Sequence, residues 1–199
     1  MPPHRDLAAF DERAAGYEQG WRGRLHHEIG ERTARLAMSR SQSPDRVLDL
    51  GCGTGYLLRR FAREYPDAQK LAGIDAAASM IEVAKDGADD ARLDFLVGVA
   101  EQLPYPDGSF DLVVSTTSFD HWSDQQKGLV ECRRVLTDGG QLVLVDQFSN
   151  WLLPTLIVSR RGKARTKKRA GRLLATAGFQ SVVWHDLYAT IIKAVTATA

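Results

Sequence analysis

The chain is poor in the features that mark whole classes of protein. Its 199 residues hold two cysteines, Cys52 and Cys132, with no CxxC and no metal-ligand spacing. That excludes a disulfide framework, points to no bound metal, and fits a reducing compartment. No run approaches the ~20 apolar residues that span a bilayer. The most apolar stretch, WLLPTLIV at 151–158, is short and contains Pro154. The first residues, MPPHRDLAAFDERAA, are charged early and carry no apolar segment, so no secretory leader is expected. Charge of either sign is nearly balanced, at a formal +1, which argues against a global attraction to nucleic acid or membrane. Internal repeats and low-complexity tracts are missing too. What these absences leave is a soluble cytoplasmic chain of one domain, long enough to bury a core of its own.

What is present is an alternation of strand and helix patterns. RVLDL (46–50), KLAGID (70–75), LDFLVG (93–98), FDLVVST (110–116) and QLVLVD (141–146) read as short buried strands. Between them GYLLRRFAREYP, ASMIEVAKDGA and DQQKGLVECRRVL read as helices, the second with Ser79 as its N-cap. TKKRAGRLLATAGF adds a helix ended by Gly178, and SVVWHDLYATIIKAVTA reads as two strands joined by a turn. Such alternation predicts an α/β fold, doubly wound, with a mostly parallel seven-stranded sheet covered on both faces. The last two strands lack a crossover helix and should form an antiparallel hairpin at the sheet edge. Ahead of the first strand, Phe10, Ala14, Tyr17, Trp21, Leu25, Ile29 and Leu36 make one apolar helical stripe. Gly16, Gly20, Gly23 and Gly30 interrupt it, which predicts two or more helical pieces rather than one rod.

The densest chemistry lies in DLGCGTG, residues 49–55, where three glycines and an acid follow a strand. Glycines there mean a tight turn or a backbone that a ligand approaches closely, and ligands of open α/β sheets bind at this end of the strands. A P-loop would need Gly-Lys-Ser/Thr, and the turn has no lysine. The dinucleotide pattern G-x-G-x-x-G is incomplete, because Tyr56 stands at its last position. Asp49 would repel a diphosphate and attract an amine or another cation. Asp75 ends the second strand and can accept hydrogen bonds from both hydroxyls of a ribose.

DLGCGTG, then GID, then GVAEQLPYPDGSFDLVVS, in that order and spacing, resemble the class I S-adenosylmethionine-dependent methyltransferases of the type 11 group over residues 46–146. The resemblance implies a Rossmann-like fold, S-adenosylmethionine as cofactor and S-adenosylhomocysteine as product. It implies a helical lid over 1–40 and a cofactor-binding domain over 41–199. Gly51, Gly53 and Gly55, with Cys52 between them, would face the methionyl part, with Asp49 near its ammonium and Asp75 on the ribose. Ala76 and Met80 would flank the adenine, the Ala100 amide would meet its edge, and Glu101 would stand beside it. Ser115 and Thr116 would line the methionyl end, and Tyr17 with Trp21 would help close over the cofactor, unless they only pack. The family often carries an acid where this chain has Val99.

His121, after the fourth strand, is the candidate general base, or else a residue that orients its loop. Cys52 reads as a packed residue rather than a nucleophile, and Asp120 and Asp124 as capping or solvated acids. Eight of the 26 basic residues crowd into 159–172. That run is a solvated helix face, a grip on an anionic acceptor, or with WLLPTLIV a transient contact to a membrane surface. The expected partner is a small-molecule methyl acceptor, anionic or apolar, methylated on oxygen, nitrogen or carbon, with no DNA involved. The chain is expected to be a monomer or homodimer. A nucleic-acid (RNA) methyltransferase using the 159–172 patch, a non-catalytic cofactor-binding subunit and a nicotinamide oxidoreductase are the competing classes.

Overall fold

A computed structural model of the chain describes residues 14–17, 20–148, 166–189 and 191–199. A 3-10 turn at Ala14–Gly16 precedes helix α1 (Gly20–Arg40). There follow β1 (Arg46–Leu50), α2 (Tyr56–Glu64), β2 (Lys70–Asp75), α3 (Ala78–Asp86), β3 (Leu93–Val97) and β4 (Phe110–Thr116). After a second 3-10 turn at Phe119–His121 come α4 (Gln125–Val135), β5 (Leu136–Gln147), α5 (Lys167–Thr176), β6 (Gln180–Tyr188) and β7 (Ile192–Thr198). The strands form one seven-stranded sheet in the order β3-β2-β1-β4-β5-β7-β6. The first five are parallel, and the terminal hairpin is antiparallel, with β7 inserted beside β5 and β6 on the edge.

Successive side chains of a strand point to opposite faces, and this chain uses both. Leu48, Val113, Leu142 and Leu144 pack with Leu129 and Cys132 of α4 and Ala170 and Leu174 of α5. Their neighbours Val47, Leu112, Val114, Val143 and Val145 pack on the other face with Ile29, Ala34 and Ala37 of α1 and Leu58 and Phe61 of α2. Near-continuous apolar strands are what a doubly covered sheet requires.

Two expectations change, and a third is refined. The described part of the N-terminal stripe comes in two helical pieces, the 3-10 turn at Ala14–Gly16 and α1, but Gly23 and Gly30 do not break α1, which runs on for 21 residues. Burial of Ile29, Ala34 and Ala37 against the sheet outweighs the ~1 kcal/mol helix cost of each glycine. Ser79 does not cap α3: the N-cap is Ala77, whose amide donates to Asp75 Oδ1 at 2.9 Å. The fifth strand starts at Leu136, directly after α4, well before the expected Gln141. Asp124 does cap α4, accepting from the Lys127 amide at 3.0 Å. The segment 149–165, with WLLPTLIV and half of the basic run, lies outside the described residues. Among the described residues no helix is long and apolar enough to cross a membrane.

Candidate functional site

The site grows from the end of β1. Gly51, Gly53 and Gly55 all hold left-handed backbone, at φ +73°, +53° and +81°. The turn is tied down on its β2 side. The amides of Gly51 and Cys52 both donate to the Ile74 carbonyl, at 2.7 and 3.1 Å. The Gly53 amide donates to Asp75 Oδ2 at 2.9 Å. Asp75 therefore joins the glycine turn to the start of α3 through one carboxylate. Space matters as much as backbone angle. A Cβ on Gly51 would strike the Ser118 side chain, and one on Gly55 would come within 2.7 Å of the Phe95 ring.

Over this turn lies a cleft whose open space measures about 540 Å³. Its floor is Asp49, Gly51, Cys52, Gly53 and Thr54. Thr116 and Thr117, at the end of β4, close one side. The outer wall is Tyr17, His26, His27 and Gly30, with Tyr56 and Leu57 at the start of α2. The wall is aromatic and stacked: His27 lies on Tyr56 with centroids 4.1 Å apart, and Tyr17 lies on His26 at 4.9 Å. The Tyr56 hydroxyl donates to Glu31 Oε1 at 3.0 Å. Gly30 permits this packing, because a Cβ there would press on the Tyr56 ring at 3.2 Å.

Asp49 dominates the electrostatics. It is 2% exposed, and its Oδ1 has no hydrogen-bond partner among the described residues. Burial first, and the Asp75 carboxylate second, push its pKa up to about 8. Thr116 Oγ1 is likewise buried without a partner. Two orphaned oxygens at one cleft are what a ligand bearing N–H donors and positive charge would satisfy. The Cys52 thiol is held neutral, because burial raises its pKa well above the usual range. That supports its reading as a packed group.

The other expected residues separate into those at the cleft and those beside it. Met80 is buried with Ala77 and Ala14, and Tyr17 packs against them. Ala76 is half-buried next to Asp75. Ala100 and Glu101 are both buried. Glu101 Oε1 accepts from the Asp124 amide at 2.9 Å, which pins the β3–β4 connection to the start of α4. Val99 pairs only with Gln102 in a short turn. Ser115 lies beneath the floor, hydrogen-bonded to Ser118 at 2.7 Å, which in turn donates to the Leu50 carbonyl. Trp21 is 65% exposed and is not a core residue. His121 sits exposed on the 3-10 turn after β4, outside the cleft lining. Asp146 stands close to it, buried and accepting the Asp120 amide at 3.0 Å. Burial raises the Asp146 pKa, and the Gln147 and Asp120 amides it accepts partly offset this, with a smaller contribution from nearby His121.

Sequence reasoning did not assign seven of the lining residues: His26, His27, Gly30, Thr54, Tyr56, Leu57 and Thr117. Thr117 has φ +54°, a strained setting for a β-branched residue, and no local sequence signal marks it. For the two histidines a signal existed. They fall between Leu25 and Ile29 of the buried stripe, on the flank that turns toward the glycine loop.

A doubly wound sheet with a glycine turn, an acid ending β1 and an acid ending β2 defines a protein that binds a nucleoside-bearing cofactor at its switch point. Residues 48–144 match the methyltransferase domain family. A malonyl-[acyl-carrier protein] O-methyltransferase of Geobacter sulfurreducens is 34% identical over 92% of this chain and 70% of its own length. A demethylmenaquinone methyltransferase of Thermotoga maritima is 38% identical over 52% of this chain and 44% of its own length. Among solved structures, a SAM-dependent methyltransferase of Aquifex aeolicus superposes with TM-score 0.74 at 18% identity, over 94% of this chain and 97% of that one. The chain belongs to the S-adenosylmethionine-dependent methyltransferases.

Proposed function

We propose that the chain transfers the methyl group of S-adenosylmethionine to an oxygen, nitrogen or carbon of a small molecule. The observation that carries this is the buried, unpartnered Asp49 Oδ1 over a glycine turn, with Asp75 held at the end of β2. When bound, the cofactor supplies an electrophilic sulfonium methyl whose leaving group is a neutral thioether.

The chain's own residues do the positioning, which alone is worth several kcal/mol in a two-body displacement. Asp49 is the counter-charge for the methionyl ammonium. The backbone of Gly51 and Gly53 admits the methionyl chain at a distance no side chain would allow. Asp75, whose carboxylate accepts the Gly53 and Ala77 amides, takes the ribose hydroxyls. Met80, Ala76 and the Ala100 amide take the adenine, with Glu101 fixing their loop. Thr116 and Thr117 bound the end at which an acceptor enters. His121, exposed on the 3-10 turn that follows β4, takes up the acceptor's proton on an imidazole nitrogen. Relatives named for malonyl-acyl-carrier and demethylmenaquinone substrates support an acceptor other than nucleic acid.

Thermal unfolding with S-adenosylhomocysteine, and separately with NAD, tests the reading. Ligand at ~100 times its Kd adds about 2.7 kcal/mol. For a domain of this size that raises Tm by about 5–10 °C. A rise with S-adenosylhomocysteine alone is expected, and a rise with NAD alone would overturn it.

A further inference from the structure

Helix α5 runs against two preferences of helices. Its sequence, KKRAGRLLAT, holds bases at four positions and no acid. Lys167, Lys168 and Arg169 fill the first turn, where the positive end of the helix dipole disfavours cations. Arg172 stands one turn beyond Lys168 and Arg169, at the spacings where like charges repel. Capping does not explain the cations, because the Thr166 side chain already accepts the Arg169 amide at 3.3 Å. Lys167 lies over the Trp184 ring at 5.5 Å. Lys168, Arg169 and Arg172 are exposed and form no ion pair among the described residues. The acids nearby are taken: Asp138 pairs with Arg133, Glu131 with Arg134 and Asp186 with Lys193. A local cost that nothing inside the chain offsets points to a partner outside it.

The cations belong to a wider face. Helix α5 lies beside α4, with Gln126 Nε2 donating to the Leu173 carbonyl at 3.3 Å. It ends where β6 begins, and Gln180 of β6 and Gln141 of β5 both pair with Thr198. Its basic first turn therefore lies toward the opposite end of the sheet, the end that carries the glycine turn. On α4, Lys127 is exposed, and Val130 one turn on is 46% exposed. Neither helix contains an aromatic residue, so the face lacks the stacking platform that single-stranded nucleic acid uses. The sequence leading into α5, outside the described residues, sets the apolar WLLPTLIV directly before further bases. Apolar side chains beside cations suit a layer of anionic headgroups with hydrocarbon beneath it.

We propose that the outer face of α4 and α5 docks the protein on an anionic membrane surface. Lys168, Arg169 and Arg172 meet the headgroup phosphates, with Lys127 and the apolar Val130 on the flank. The chain as a whole carries only +1, so the attraction comes from this face and not from net charge. Docking needs no cofactor, and it stands or falls apart from the methyl-transfer reading.

Co-sedimentation of the full chain with lipid vesicles tests the proposal. The chain should sediment with phosphatidylcholine vesicles that contain phosphatidylglycerol. It should stay in solution with phosphatidylcholine alone, and it should leave the anionic vesicles in ~0.5 M salt. The triple variant Lys168→Gln, Arg169→Gln, Arg172→Gln should bind the anionic vesicles about 100-fold more weakly, at about fivefold for each cation. Its Tm should be no lower than that of the wild type, because the substitutions also relieve the first-turn repulsion. Equal binding to neutral and anionic vesicles would overturn the proposal. Undiminished binding by the triple variant would take the docking away from this face. A chain that sediments with neither vesicle but is retained on filters with tRNA would give the face to nucleic acid instead.

Discussion

Asp49→Asn should make the protein more stable and a worse binder at the same time. The folded chain holds Asp49 near pKa 8 against an ordinary value of 3.8. Near neutral pH the folded state therefore keeps a proton that the unfolded state has released. Because the folded pKa is raised, the associated stability is complete below about pH 4. It is lost as pH rises through the interval up to about 8 and is constant beyond. Each pH unit within that interval costs about 1.4 kcal/mol, so at pH 7 the burden is ~4 kcal/mol. Asparagine removes the titration but buries an amide with donors of its own, at about 1–3 kcal/mol. The net gain near pH 7 is ~1–3 kcal/mol, read as a Tm rise of about 2–8 °C. Urea unfolding of both proteins between pH 5 and 8 isolates the effect. The stability difference should move in favour of the variant by about 3–4 kcal/mol across that range. Calorimetry with S-adenosylhomocysteine should show about 10–100-fold weaker binding for the variant, since the ammonium loses its counter-charge. A stability difference that is flat with pH, or undiminished affinity, would refute the assignment of Asp49 as a strained binding group.

Other perturbations follow the same geometry. Gly55→Ala places a Cβ on the Phe95 ring at a positive φ, and chemical unfolding should show a loss of about 2–4 kcal/mol. Asp75→Asn removes the second cause of the raised Asp49 pKa, so the stability of that variant should fall less steeply between pH 5 and 8. Its affinity for S-adenosylhomocysteine should fall by about tenfold or more as a charged acceptor is lost. His121→Ala should leave that affinity unchanged in calorimetry, because the side chain lies outside the cleft lining. Once an acceptor is in hand, its kcat should fall by about 10²-fold or more. An unchanged kcat would remove His121 from the chemistry.

The parallel strands, their terminal antiparallel hairpin and the glycine turn were legible because each rests on a local rule. Apolar runs of five to seven residues between helix patterns leave a parallel sheet as the economical solution, and a strand that ends on Asp-Leu-Gly must turn there. Where the reading failed, distant residues decide. Ser79 has the right chemistry for a cap, but the Asp75 carboxylate reaches the Ala77 amide first. The strain at Thr117 follows from its amide being held by the Val145 carbonyl at 2.8 Å, a contact made across the sheet. His121 follows β4, and the 3-10 turn at Phe119–His121 buries Phe119 while leaving His121 exposed, outside the cleft lining.

Helix α1 shows how packing converts a weak local pattern into a working wall. Read alone, Gly23 and Gly30 argue for a break. In the fold Gly23 is buried, and Gly30 is the position where the Tyr56 ring comes closest. Tyr56 opens α2, the helix that starts where the glycine turn ends, and its hydroxyl returns to Glu31 on α1. Arg60, one turn further along α2, pairs with the same carboxylate at 3.2 Å. The two helices that frame the cleft are thus fastened to each other through one acid, beside the stacked His27. A residue larger than glycine at position 30 would push Tyr56 away, loosening the Glu31 contact and the His27 stack together. A glycine that costs helix propensity is here the condition for the cleft having an outer wall at all.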